Sequence, residues 1–111
     1  MWLLDVNLPQ GPLRLLTDLG IACDSTIRRG WRELTNGELA SAAIASGFEV
    51  ILTRDREFGI AASSVGPRWP QLAIVVITIP QARESAYLEV FEAHWRRSGI
   101  APTPGTIIEW P

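Results

Sequence analysis

Apolar and polar positions along the chain fall into blocks that switch between two periods. Trp2, Leu3, Leu4 and Val6 around Asp5 predict a short strand ending in a carboxylate. From Pro9 to Leu19 the leucines fall three and four apart (Leu13 with Leu16, Leu15 with Leu19), the stripe of a helix with one buried face. Pro12 sits in its first turn, where proline is tolerated, and Gly20 is the expected stop. Ile21 to Cys23 predicts a brief second strand, and Asp24 to Leu34 is polar and irregular.

Thr35-Asn36-Gly37-Glu38 has the capping-box pattern and opens a helix through about Ser46, closed by Gly47. Phe48 to Thr53 is a near-continuous apolar run, suited to a strand buried on both faces. Arg54-Asp55-Arg56-Glu57-Phe58 follows at its carboxyl end, and a loop or short helix leads through Gly66, Pro67 and Pro70. Leu72 to Ile79, rich in β-branched residues, predicts a central strand. Pro80 starts a helix through about Ser98 with a narrow polar stripe of Ser85, Glu89, Glu92 and Arg96. Its wide apolar arc, including Tyr87, Leu88, Val90, Phe91 and Trp95, faces the sheet and leaves room for a second subunit. Thr106 to Trp110 is a last, short strand. Strands alternating with helices predict an α/β fold: a mostly parallel central sheet with helices on both faces, one domain over residues 1–111.

Composition narrows the function. Hydrophobic residues are 47% and charged residues 20%, a globular balance. The longest apolar stretch, Leu72 to Ile79, falls well short of the about 20 residues a membrane span needs, and no leader pattern is visible. Cys23 is the only cysteine, which excludes a disulfide framework or a zinc site of several thiolates; a cytoplasmic location is expected. Net charge is −2, and all 10 basic residues are arginine. The absence of lysine excludes mechanisms that need a catalytic lysine, phosphoacceptor receivers and haloacid-dehalogenase-like phosphatases among them. A globally basic nucleic-acid binder is excluded too. A local arginine patch remains, and arginine is well suited to phosphate.

Ligands of open parallel sheets bind outside the carboxyl ends of the strands. Asp5 and Asp55 lie at two such ends, Glu57 follows Asp55 by two, and Asn36 and Glu38 open the helix expected at the same rim. Clustered carboxylates repel unless a cation neutralises them, and oxygen-only ligands suit Mg2+ or Mn2+. The chemistry that follows is phosphodiester hydrolysis. Each residue has a plainer role as well. Asp5 and Asp55 fit turn and loop starts, Glu38 completes the capping box, and Asn36 and Glu57 fit a solvated surface. Arg28, Arg29 and Arg32 around Trp31 form either a solvated loop or a set of phosphate contacts, and Arg54 beside Asp55 joins that set.

Together WLLDVNLP, a helix ending in LG, TNGELASAA and EVILTRDREFG resemble the small PIN-like domains, short toxin-like relatives of VapC ribonucleases. The match covers roughly the first 60 residues. The resemblance implies a PIN-like fold and a metal-dependent endoribonuclease, the toxin of a bacterial toxin–antitoxin pair. Carried over by residue, Asp5 matches the first-strand acid, Asp55 the acid of the Thr-x-Asp motif, and Glu57 the acid before the Phe. Asn36 stands where the family usually has Asp, and Glu38 is placed to compensate. The expected catalytic residues are Asp5, Asp55 and Glu38; the expected metal ligands add Asn36 and Glu57. RNA contacts are expected from Arg28, Arg29, Arg32 and Arg54. The implied partners are an RNA substrate, a small antitoxin and a second copy of the chain. The alternative is a PIN-like domain that binds RNA or protein without cleaving.

Overall fold

In chain order the elements are β1 (Trp2–Leu4), α1 (Gly11–Asp18), β2 (Cys23–Ser25), α2 (Thr26–Arg29), α3 (Asn36–Ala45) and β3 (Val50–Thr53), followed by α4 (Arg56–Ala61), β4 (Ala73–Ile77), α5 (Glu84–Arg97) and β5 (Ile107–Trp110). They belong to a computed structural model that describes residues 1–61 and 69–111, without the side chains of 59–61. The loop expected around Gly66 and Pro67 lies outside the described residues.

The strands pair in the order β2-β1-β3-β4-β5, and every pair is parallel. The α/β expectation is met, including helices on both faces. The pleat sends Trp2, Leu4, Val50, Leu52, Val75 and Ile77 into one core cluster, with Leu13 and Leu16 of α1 and Tyr87 and Phe91 of α5. Leu3, Ile51, Ile74 and Val76 go to the opposite cluster, with Leu39, Ala40 and Ala43 of α3 and Phe58 of α4. Strands buried on both faces explain the unbroken apolar runs at 50–52 and 73–77. Each fully buried Leu, Ile or Phe stabilises this layering by roughly 1.5–3 kcal/mol.

Most strands and helices are shorter at their ends than expected, and three differences go further. The second strand is Cys23–Ser25 because it pairs with β1 in the register Trp2↔Cys23, Leu3↔Asp24, Leu4↔Ser25. The irregular segment after it contains α2, whose first turn is capped by the Ser25 hydroxyl accepting from the Arg28 N–H at 3.2 Å. The last helix starts at Glu84, not Pro80. Ile79 is still anchored in the core, and the Thr78 N–H donates to the Trp110 carbonyl at 2.8 Å, so the chain turns only after them. The capping box at Thr35 and the Glu92–Arg96 pair, 2.6 Å, form as their spacing predicts. No helix among the described residues is long and apolar enough to cross a membrane.

The strand order places the topological switch between β1 and β3. The connection through α1 leads from β1 outward to β2; the one through α3 returns past β1 to β3, on the other face. The two connections diverge there, and the carboxyl ends of β1 and β3 border the crevice that parallel sheets use for ligands.

Candidate functional site

Asp5, Asn7, Thr53, Arg54 and Asp55 meet at that crevice. β1 ends at Leu4, but the Asp5 N–H still donates to the Leu52 carbonyl at 2.9 Å, so the ladder with β3 carries Asp5 to the edge. Thr53, the last residue of β3, is completely buried. Its hydroxyl donates to Asp5 Oδ2 at 2.9 Å and accepts from Asn7 Nδ2 at 3.3 Å and the Asp55 N–H at 3.1 Å. One donor and two acceptor positions are all a hydroxyl has, so Thr53 is fully used. Asn7 closes the circuit by accepting from the Arg54 N–H at 3.0 Å. The remaining Asp5 oxygen accepts from the Val6 N–H at 2.8 Å. Asp55 accepts from the Glu57 N–H at 2.9 Å and so caps α4.

The site residues expected from the sequence divide. Asp5 and Asp55 are brought together through Thr53. Glu38 bonds its own helix start: its carboxylate accepts from the Thr35 N–H at 3.0 Å. That backbone bond, helped by the Thr35 side chain, holds the Glu38 carboxyl below the ordinary glutamate range. Asn36 is the first residue of α3, half-buried, and Glu57 is exposed in the first turn of α4. Among the described residues no group of three or more His, Cys, Asp or Glu stands close enough to hold a metal ion. The expected gathering of Glu38 and Glu57 with the two aspartates is therefore not seen.

The arginines divide too. Arg29 is paired with Asp24 at 2.7 Å and lies over the rings of Phe48 and Trp31, 4.9 and 5.6 Å from their centroids. Partial burial works to raise the Asp24 pKa, but the bonds from Arg29 and the Ser25 N–H outweigh it and leave it lowered. Arg28 and Arg32 are exposed. Arg54 is half-buried, with one Nη donating to Gln81 Oε1 at 2.7 Å. Cys23, half-buried with its thiol pushed up to about 11 by burial, stays protonated at neutral pH, and His94 packs edge-on against Trp110. Neither takes part in the crevice.

Sequence reasoning missed Thr53 and Asn7 as members of the site. The signal for Thr53 was a hydroxyl ending a run of otherwise apolar residues; for Asn7 it was the two-residue spacing from Asp5.

The donor set is oxygen only. Each aspartate keeps lone pairs beyond the bonds described, and Mg2+ commonly uses one or two carboxylates with waters and substrate phosphates rather than an all-protein cage. Asp5 and Asp55 are the two carboxylates at this crevice that could hold a hard cation on those terms. Comparison with family models, curated proteins and solved structures finds no match for this chain.

Proposed function

We propose that the chain is a PIN-like endoribonuclease that hydrolyses RNA phosphodiesters with Mg2+ or Mn2+ held by Asp5 and Asp55. One observation carries the reading. Two aspartates follow adjacent parallel strands at the topological switch point, where one buried hydroxyl binds the carboxylate of Asp5 and the backbone N–H of Asp55. The cation's contribution is that of a Lewis acid: it lowers the pKa of water and offsets charge on the phosphate. The rest falls to the chain. Thr53 fixes the orientation of the Asp5 carboxylate, and Asn7 locks the loop after β1 onto the loop after β3. Glu38 serves the helix start. The same reading carries the toxin role, a small antitoxin that covers the crevice, a cytoplasmic location and a homodimer.

A second reading is favoured by a specific observation: Asp55 caps α4 and Glu38 caps α3, so both acids already have structural duties. On that reading the domain binds RNA or a partner protein without cleaving it. The test is cleavage of single-stranded RNA with Mn2+, run beside a Mn2+ titration of the melting temperature. The nuclease reading expects cleavage and a rise in melting temperature, both lost in Asp5→Asn and Asp55→Asn. A site held at 100 times its dissociation constant would add about 2.7 kcal/mol of stability. Intact RNA and a melting temperature indifferent to Mn2+ would establish the second reading instead.

A further inference from the structure

Arg54 is the one arginine among the described residues that is not exposed. Its Nε is buried without a hydrogen-bond partner, and none of the ion pairs among the described residues includes it. Its only side-chain hydrogen-bond partner there is the neutral oxygen of Gln81, and the buried Tyr87 hydroxyl, itself without a hydrogen bond, lies near enough to feel its charge. A half-buried guanidinium without a counter-ion is costly, and a bound anion would offset that cost. The space for one is present. Arg54 and Gln81 border a cleft of about 510 Å³ that Asn7 and Gln10 also line. Asn7 belongs both to this cleft and to the Thr53 circuit, so the cleft is joined to Asp5 through Asn7 and Thr53. α5 starts on its rim without a side-chain cap, leaving first-turn N–H groups free. Two features oppose an anion: the Glu84 carboxylate, also on the rim, and Asp5 beyond Asn7, whose charge is uncompensated without a cation.

We propose that this cleft is a phosphate subsite, which seats the backbone phosphate next to the one being cleaved when an RNA strand crosses the switch point. The inference rests on the nuclease reading for the identity of the strand. Arg54 acts there through its planar fork, which suits paired contacts with phosphate oxygens. Its backbone N–H meanwhile holds Asn7 on the acidic side. The residue thus joins the subsite to the carboxylates, and a strand held at one phosphate is registered at the next.

The test is binding of a fluorescein-labelled oligouridylate to the intact chain in EDTA, followed by anisotropy across a salt series. Without divalent cation the readout does not depend on cleavage, so it separates the subsite from the nuclease reading. Arg54→Gln should weaken binding about tenfold, the scale of a hydrogen bond to a charged group. It should also reduce the slope of log K against log salt by about 0.7, the loss of one phosphate contact on a single strand. Arg54→Lys should keep the slope and lose part of the affinity. Glu84→Gln changes an exposed residue and spares Arg54, so it reports even where Arg54 variants fold poorly. It should tighten binding about two- to fivefold. Inorganic phosphate should compete with the oligouridylate. Unchanged affinity and slope in Arg54→Gln and Glu84→Gln would overturn the proposal. So would competition by inorganic phosphate with no effect of Arg54→Gln on the oligouridylate, because the cleft would then take small anions only.

Discussion

A threonine hydroxyl meets an acidic residue in two places in this molecule. At the start of α3, Thr35 and Glu38 bond each other across three residues, in the open. At the switch point, Thr53 and Asp5 bond across 48 residues of chain, with the threonine completely buried. The first pair exchanges two bonds that serve one helix turn. The second is a junction, where one hydroxyl binds a carboxylate and an amide side chain from the loop after β1 and a backbone N–H from its own loop after β3. Exposed groups that lose a partner turn to water. At the junction Thr53 is buried and its partners half-buried, so water replaces a lost bond less readily and the same chemical pair should be worth more there.

The largest expected effect comes from Thr53→Val. Removing the hydroxyl leaves Asp5, Asn7 and the Asp55 N–H each short of a partner. Unfolding free energy from urea titration should fall by at least about 2 kcal/mol, and any RNA cleavage should be lost. Thr53→Ser, which keeps the hydroxyl, should retain most of both. Thr35→Ala should cost about 1 kcal/mol by the same titration, the usual value of an N-cap. Equal losses in Thr53→Val and Thr35→Ala would break the comparison.

The smallest effect belongs to Glu38→Gln. Glutamine also completes a capping box, so the melting temperature at neutral pH should fall only slightly, by what the charge adds, and cleavage should persist with Asp5 and Asp55 intact. The difference lies in acid. The Glu38 carboxyl is held below its ordinary value by the Thr35 N–H, so its folded pKa is lower than its unfolded one. Its stabilisation is present above the unfolded value and disappears as pH falls through the folded value. On acidification the wild type should therefore lose melting temperature that Glu38→Gln does not. Parallel curves would mean that the carboxylate adds nothing to the box.

The same contrast explains what the sequence disclosed. The Thr35–Glu38 box is local, so spacing alone revealed it. The layering on both faces was legible because apolar runs such as Val50–Leu52 have no exposed positions to alternate with. Asp5 and Asp55 were legible as carboxylates after strands. Their connection was not, because Thr53 and Asn7 become neighbours only once β1 pairs with β3 in the register Leu4↔Leu52. The second strand was misplaced by two residues because Asp24 looks like a loop residue until Arg29 folds back to pair with it. Arg54 looked like its neighbours in charge, and only burial set it apart.

The strand order also bears on how the molecule is made. β2 is close to β1 in sequence, but the other neighbour of β1 arrives only with Val50–Thr53. A nascent chain carrying residues 1–49 holds Asp5 and Asn7 without the Thr53 hydroxyl that joins them. Pairings this distant in sequence form slowly compared with helices and hairpins. The junction at Thr53 is therefore assembled by β3 docking, and a ribosome releases this crevice in working order only after the middle of the sheet has closed.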